Sequence, residues 1–144
     1  MHSLTKRNLR RKNFSLVELI VVITIIALLS AIVVPKFFVH MAKAKRATAV
    51  TQIKNLKQAV ETFELACNRY PTSSEGLEAL IKNPGDVAGW EKPFLDSKTI
   101  PKDPWGNDYI YKIPGDEGQE FTIISYGKDK QEGGKGENAD ISSY

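Results

Sequence analysis

FSLVELIVVITIIALLSAIVVP, residues 14–35, decides how this 144-residue chain is read. Leu19 through Pro35 carries no charge, and five cations, Lys6, Arg7, Arg10, Arg11 and Lys12, stand just ahead of the stretch. A helix rises about 1.5 Å per residue and a bilayer core is about 30 Å thick, so the run extended through Phe37 and Phe38 can span. Glu18 is the exception at its lip. A carboxylate near hydrocarbon is costly unless it is paired, protonated or lifted to the headgroups. Glu18 therefore either marks the interfacial end of the span or awaits a cation.

The basic start and apolar run have the order of a secretory signal, but the run exceeds the usual length of about 7–15 residues and lacks an A-x-A exit, which disfavours ordinary signal-peptidase removal. Four cations, Lys36, Lys43, Lys45 and Arg46, follow the span against five before it, a poor contrast for the positive-inside rule. A tail this short still most easily stays cytoplasmic. The formal charge of +3 comes from 20 basic and 17 acidic residues; without the five cations of residues 1–13, fifteen face seventeen and the balance is −2. That counts against nucleic acid as a partner, which wants a basic face on the folded domain. Lone Cys67 excludes an intrachain disulfide and is either buried or a route to dimers, and His2 and His40 form no zinc spacing. With no phosphate loop, no H-E-x-x-H and no nucleophile beside a placed histidine, an enzyme is not expected.

Beyond Pro35 the pattern turns amphipathic. Val50, Ile53, Leu56, Val60, Phe63 and Cys67 recur at steps of three or four, while Lys54, Lys57, Glu61 and Glu64 take other faces. A helix from Phe14 to Asn68 would reach about 80 Å, more than a small domain requires. Pro35 within it removes a backbone donor, so it marks either a kink or a helix boundary. Tyr70-Pro71 ends the helix, and Thr72-Ser73-Ser74-Glu75 offers a capping box for a short helix over about 74–82, stopped by Asn83-Pro84-Gly85.

Residues 84–107 read as irregular, anchored by Trp90, Phe94 and Ile100, and Asp103-Pro104-Trp105-Gly106 as a tight turn with Trp105 in a packing role. Strands are expected at about 108–113 and 120–126, paired antiparallel across Pro114-Gly115, with a third short one near Ala139 to Ser142. The loop 127–140 gathers Asp129, Glu132, Glu137, Asn138 and Asp140 among glycines and lysines. Hard oxygen ligands of this kind suit calcium. The spacing is not that of an EF-hand, so the residues alone leave open both a metal loop and a solvated mobile one.

A basic leader followed by Phe14-Ser15-Leu16-Val17-Glu18-Leu19-Ile20, with Pro35 inside the apolar run, resembles the start shared by type IV pilins and pseudopilins. Asn68-Arg69-Tyr70-Pro71-Thr72, Glu75-Gly76-Leu77-Glu78-Ala79-Leu80, Asp103-Pro104-Trp105-Gly106-Asn107-Asp108-Tyr109 and Glu137-Asn138-Ala139-Asp140-Ile141 extend the likeness to the major pseudopilins of type II secretion, the protein G family. The resemblance implies an α+β, type IV pilin-like fold: a leader over 1–13, a long helix over 14–68 spanning the membrane at about 14–38, and a periplasmic domain with a small antiparallel sheet over 69–144.

It further implies cleavage by prepilin peptidase between Asn13 and Phe14, where the family pattern has glycine in place of Asn13, and N-methylation of Phe14. Glu18 would pair with a neighbouring subunit's terminus during assembly, and Pro35 would be the weak point of the helix. Calcium would be held by Asp129, Asn138 and Asp140 with carbonyls near Ser125; Ala139 stands where some relatives have aspartate. The implied setting is the bacterial inner membrane, single-pass with a cytoplasmic N-terminus. The implied partners are further copies of the chain, minor pseudopilins, the peptidase and the inner-membrane assembly platform, and the implied role is a structural filament subunit that drives export of folded proteins across the outer membrane. Two rival readings are a type IV pilin or competence pseudopilin, against which the lone cysteine counts, and a membrane-tethered calcium-binding domain, which would leave Glu18 unexplained.

Overall fold

A computed structural model describes residues 14–144, so the leader and Asn13 lie outside the described residues. The chain divides into two compact units, one ending at Val39 and the other running His40–Tyr144. A single helix, α1 (Leu16–Cys67), supplies residues to both.

Ser15 and Glu18 start α1 as a capping box. The Glu18 N–H donates to Ser15 Oγ at 3.1 Å, and the Ser15 N–H points back to the Glu18 carboxylate at 3.5 Å. The helix continues through Pro35, which sets aside a boundary there; the proline instead leaves the Ala31 carbonyl without its helical donor. Asn68 ends it in the left-handed region (φ 54°), a conformation asparagine tolerates at a helix C-terminus.

In the first unit the apolar side chains from Leu16 to Val39 are all exposed. This is the one described helix long and apolar enough to cross a membrane. The two hydroxyls between Leu16 and Val39 are spent internally: Thr24 donates to the Ile20 carbonyl and Ser30 to the Ile26 carbonyl, both at 2.7 Å.

In the second unit the rest of α1 is one wall of the core, through Ala49, Ile53, Leu56, Ala59, Val60 and Phe63. Val50, expected on the inward face, lies at its exposed edge, with Ala49 inside instead. Adjacent residues sit about 100° apart on a helix, so a small rotation exchanges them, and alanine admits a closer approach. Cys67 is half-buried against the core, where desolvation raises its thiol pKa. The expected helix over 74–82 is a single 3-10 helix, Gly76–Leu80. Its capping box does form, with Thr72 N–H to Glu75 at 2.8 Å and Glu75 N–H to Thr72 Oγ1 at 3.3 Å. Arg69 grips the same carboxylate with two bonds of 2.7 and 2.8 Å.

Opposite the helix lies a sheet of three antiparallel strands in the order β1 (Ile110–Lys112), β2 (Thr122–Ser125), β3 (Ile141–Ser142). Tyr111 pairs with Ile123, and Ser125 with Ile141. The first two strands are shorter than their β-branched and aromatic runs, and the third is shorter than the expected 139–142, because turns bond flanking residues. At one flank the Gly115 N–H donates to the Gln119 and Glu120 carbonyls, at 3.0 and 3.1 Å. Central β2 is buried at every position. Trp90, Phe94, Ile100 and Trp105 from the irregular segment pack on the core as expected, and the Trp90 indole is fixed by a 2.7 Å bond to the Ala79 carbonyl.

Candidate functional site

Two places in the molecule carry the residues singled out by sequence. At the start of α1, Phe14 is exposed just ahead of the helix and Glu18 is exposed in its first turn. The capping box gives Glu18 a local role that needs no partner. The signal for it, Ser15-x-x-Glu18 before an apolar run, was present in the sequence.

The second place is the loop between β2 and β3. Residues 127–128 and 137–138 run together at its neck, where Lys128 N–H donates to the Glu137 carbonyl at 2.9 Å. A Cβ on Gly127 would sit 2.5 Å from that same carbonyl oxygen, so only glycine allows the approach. Higher up, Gly134 folds against Asn138, and a Cβ there would meet the Asn138 carbonyl oxygen at 2.6 Å. Asp129 lies exposed on the outgoing arm and accepts the Gln131 N–H at 3.2 Å. Asn138 ends a 3-10 turn, Gly136–Asn138, and is half-buried.

Asp140 is the last residue of the loop before β3. Its Oδ2 accepts the Gly133 N–H at 2.9 Å, while Oδ1 is buried without any hydrogen-bond partner. A buried carboxylate oxygen left unpaired costs free energy, and a cation is the group that would satisfy it. Among the described residues no three His, Cys, Asp or Glu side chains come together as a metal cluster. A metal here would therefore draw most of its ligands from carbonyl and amide oxygens. That donor set fits calcium, which accepts such oxygens, and does not fit zinc.

Three residues that tie the loop down were not anticipated. The Arg46 guanidinium on α1 reaches the carbonyls of Ala139 and Asp140 at 3.4 and 3.5 Å. Trp105, besides packing, donates its indole N–H to Glu137 at 3.2 Å. Asn107 donates Nδ2 to the Gly127 carbonyl at 2.7 Å. No spacing in the sequence links positions so far apart.

An exposed apolar helix whose continuation forms one wall of a small antiparallel head, with an acid in its first turn, defines a subunit of the pilin class. Residues 36–144 match the family described as Type II secretion system (T2SS), protein G, and residues 10–34 match the prokaryotic N-terminal methylation motif. The chain belongs to the type II secretion system protein G family. The core protein G of Vibrio cholerae is 39% identical over 142 residues, covering 96% of this chain and 95% of that protein. That of Pseudomonas aeruginosa is 37% identical over 139 residues, covering 94% of this chain and 96% of that protein. The crystal structure of the major pseudopilin from the type 2 secretion system of enterohaemorrhagic Escherichia coli matches with a TM-score of 0.60 at 27% identity, over 72% of this chain and 90% of that one.

Proposed function

We propose that this chain is the building subunit of a type II secretion pseudopilus. It is stored in the inner membrane by residues 14–38 with its head in the periplasm, and it polymerises into a filament that drives folded proteins outward. The observation that carries this reading is the exposed apolar surface from Leu16 to Val39, which none of the described residues covers. In the monomer lipid would cover it, and in a filament the same surface of neighbouring copies would.

Cleavage between Asn13 and Phe14 frees an α-ammonium that N-methylation leaves able to carry charge. Offered by a neighbouring copy, that amine neutralises Glu18 and turns the cost of burying a carboxylate into a preference for one axial register. Minor pseudopilins and the membrane assembly platform are the remaining partners. The work of assembly comes from elsewhere, and the role is structural rather than enzymatic.

Calcium belongs to the same proposal. Asp140, through its unpaired oxygen, Asp129 and Asn138 would hold it, together with backbone carbonyls. A bound cation would supply a cross-link to a loop too polar to be ordered by burial.

Glu18→Leu tests the assembly claim. The variant should insert into membranes at wild-type level and form no filaments; normal filaments from it would overturn the reading.

A further inference from the structure

Asp103 is 4% exposed, and its carboxylate is fully engaged. Oδ1 accepts the N–H groups of Trp105 and Asn107 at 3.0 and 2.8 Å, and Oδ2 accepts the Ser125 hydroxyl at 2.6 Å. The Asp103 N–H bonds in turn to the Asn107 carbonyl at 2.8 Å. The turn is thus closed on itself and bolted to the last residue of β2. Two side chains then leave it for the two sides of the loop's neck: Asn107 takes the Gly127 carbonyl, and Trp105 takes the Glu137 carboxylate.

These contacts separate the loop into two kinds of group. The neck has its polar groups paired by the turn, whereas Asp140, three residues past Glu137, retains the buried oxygen without a partner. Holding the ends of a loop in advance reduces the ordering cost that a ligand must meet. Residues that orient ligands through hydrogen bonds typically change metal affinity about 10–100-fold when removed.

We propose that the Asp103–Asn107 turn is the positioning element of the metal loop, with Asn107 and Trp105 setting its neck so that calcium binds a prearranged site. The inference rests on the calcium reading above. Neither residue is a metal ligand; both act through Gly127 and Glu137.

The test uses the full chain in detergent, titrated with calcium by calorimetry, with thermal melts taken in chelator and in saturating calcium. Asn107→Ala removes one arm. Trp105→Phe keeps the packed ring and removes only the indole N–H. Each variant should bind calcium at least 10-fold more weakly, and at limiting calcium its melt should gain less from the ion than the wild-type melt does. Wild-type affinity in both variants, with melts lowered equally with and without calcium, would overturn the inference alone. A wild-type chain that binds no calcium overturns the calcium reading and this inference with it.

Discussion

Glu75→Gln isolates the ion pair that fastens the end of α1 to the following turn. In the wild type the Glu75 carboxylate takes two bonds from Arg69 and one from the Thr72 N–H. Bonding to Arg69 is the main cause that lowers its pKa from the ordinary 4.5 to about 2, with burial opposing and Thr72 assisting. At about 1.4 kcal/mol per unit the full shift would equal roughly 3 kcal/mol. Because the Arg69 side chain is 36% exposed, solvent screening reduces this to about 1–2 kcal/mol.

The folded value lies below the unfolded one, so the contribution is complete above pH 4.5 and is lost as pH falls through about 2. Thermal melts of the wild type and Glu75→Gln at pH 7 and pH 3 measure it. At pH 7 the variant should melt roughly 5–10 °C lower, and by pH 3 about half of that gap should have closed. A gap of the same size at both pH values would refute the argument, since it would mean that Glu75 stabilises the head by packing and not by charge.

Chelation of calcium should lower the melting temperature of the wild-type chain, by the equivalent of about 2.7 kcal/mol if calcium was present at 100 times its Kd; a melt indifferent to chelator argues against the metal. Gly134→Ala forces a side chain into a left-handed position (φ 88°) against the Asn138 carbonyl, and should cost about 1–3 kcal/mol in a chemical denaturation curve. Phe63→Ala should cost about 3–5 kcal/mol, because Phe63 projects from α1, is wholly buried and packs its ring against Phe94. Mass spectrometry of membrane-extracted protein should find the chain beginning at methylated Phe14, whereas an intact Met1 would contradict processing.

Local rules reached most of this molecule. The period of Ile53, Leu56, Val60 and Phe63 placed the core face of α1, and the β-branched pairs around Tyr111 and Ile123 placed the strands. The start of β2 was placed too early because the Glu120 carbonyl accepts the Gly115 N–H within the turn, an alternative to the ladder that composition does not reveal. The helix after Thr72 was too long because a capping box specifies a start and not a length. At the loop, Asp129, Asn138 and Asp140 stood out by type alone. Their supports did not, because Arg46 is 94 residues from Asp140 and Trp105 is 32 from Glu137. Contacts of that range are made by the fold and leave no period to read.

Thr24 and Ser30 give their hydroxyl protons to carbonyls of their own helix. They therefore ask nothing polar of whatever lies alongside. Apart from the Ala31 carbonyl that Pro35 leaves without a donor, this surface adheres by area and shape, and it would grip a lipid tail about as readily as another helix. Such a surface supplies adhesion but carries no address. In the exposed stretch from Leu16 to Val39, the information that distinguishes one sliding position from the next is therefore concentrated in Glu18, Lys36 and the free Ala31 carbonyl.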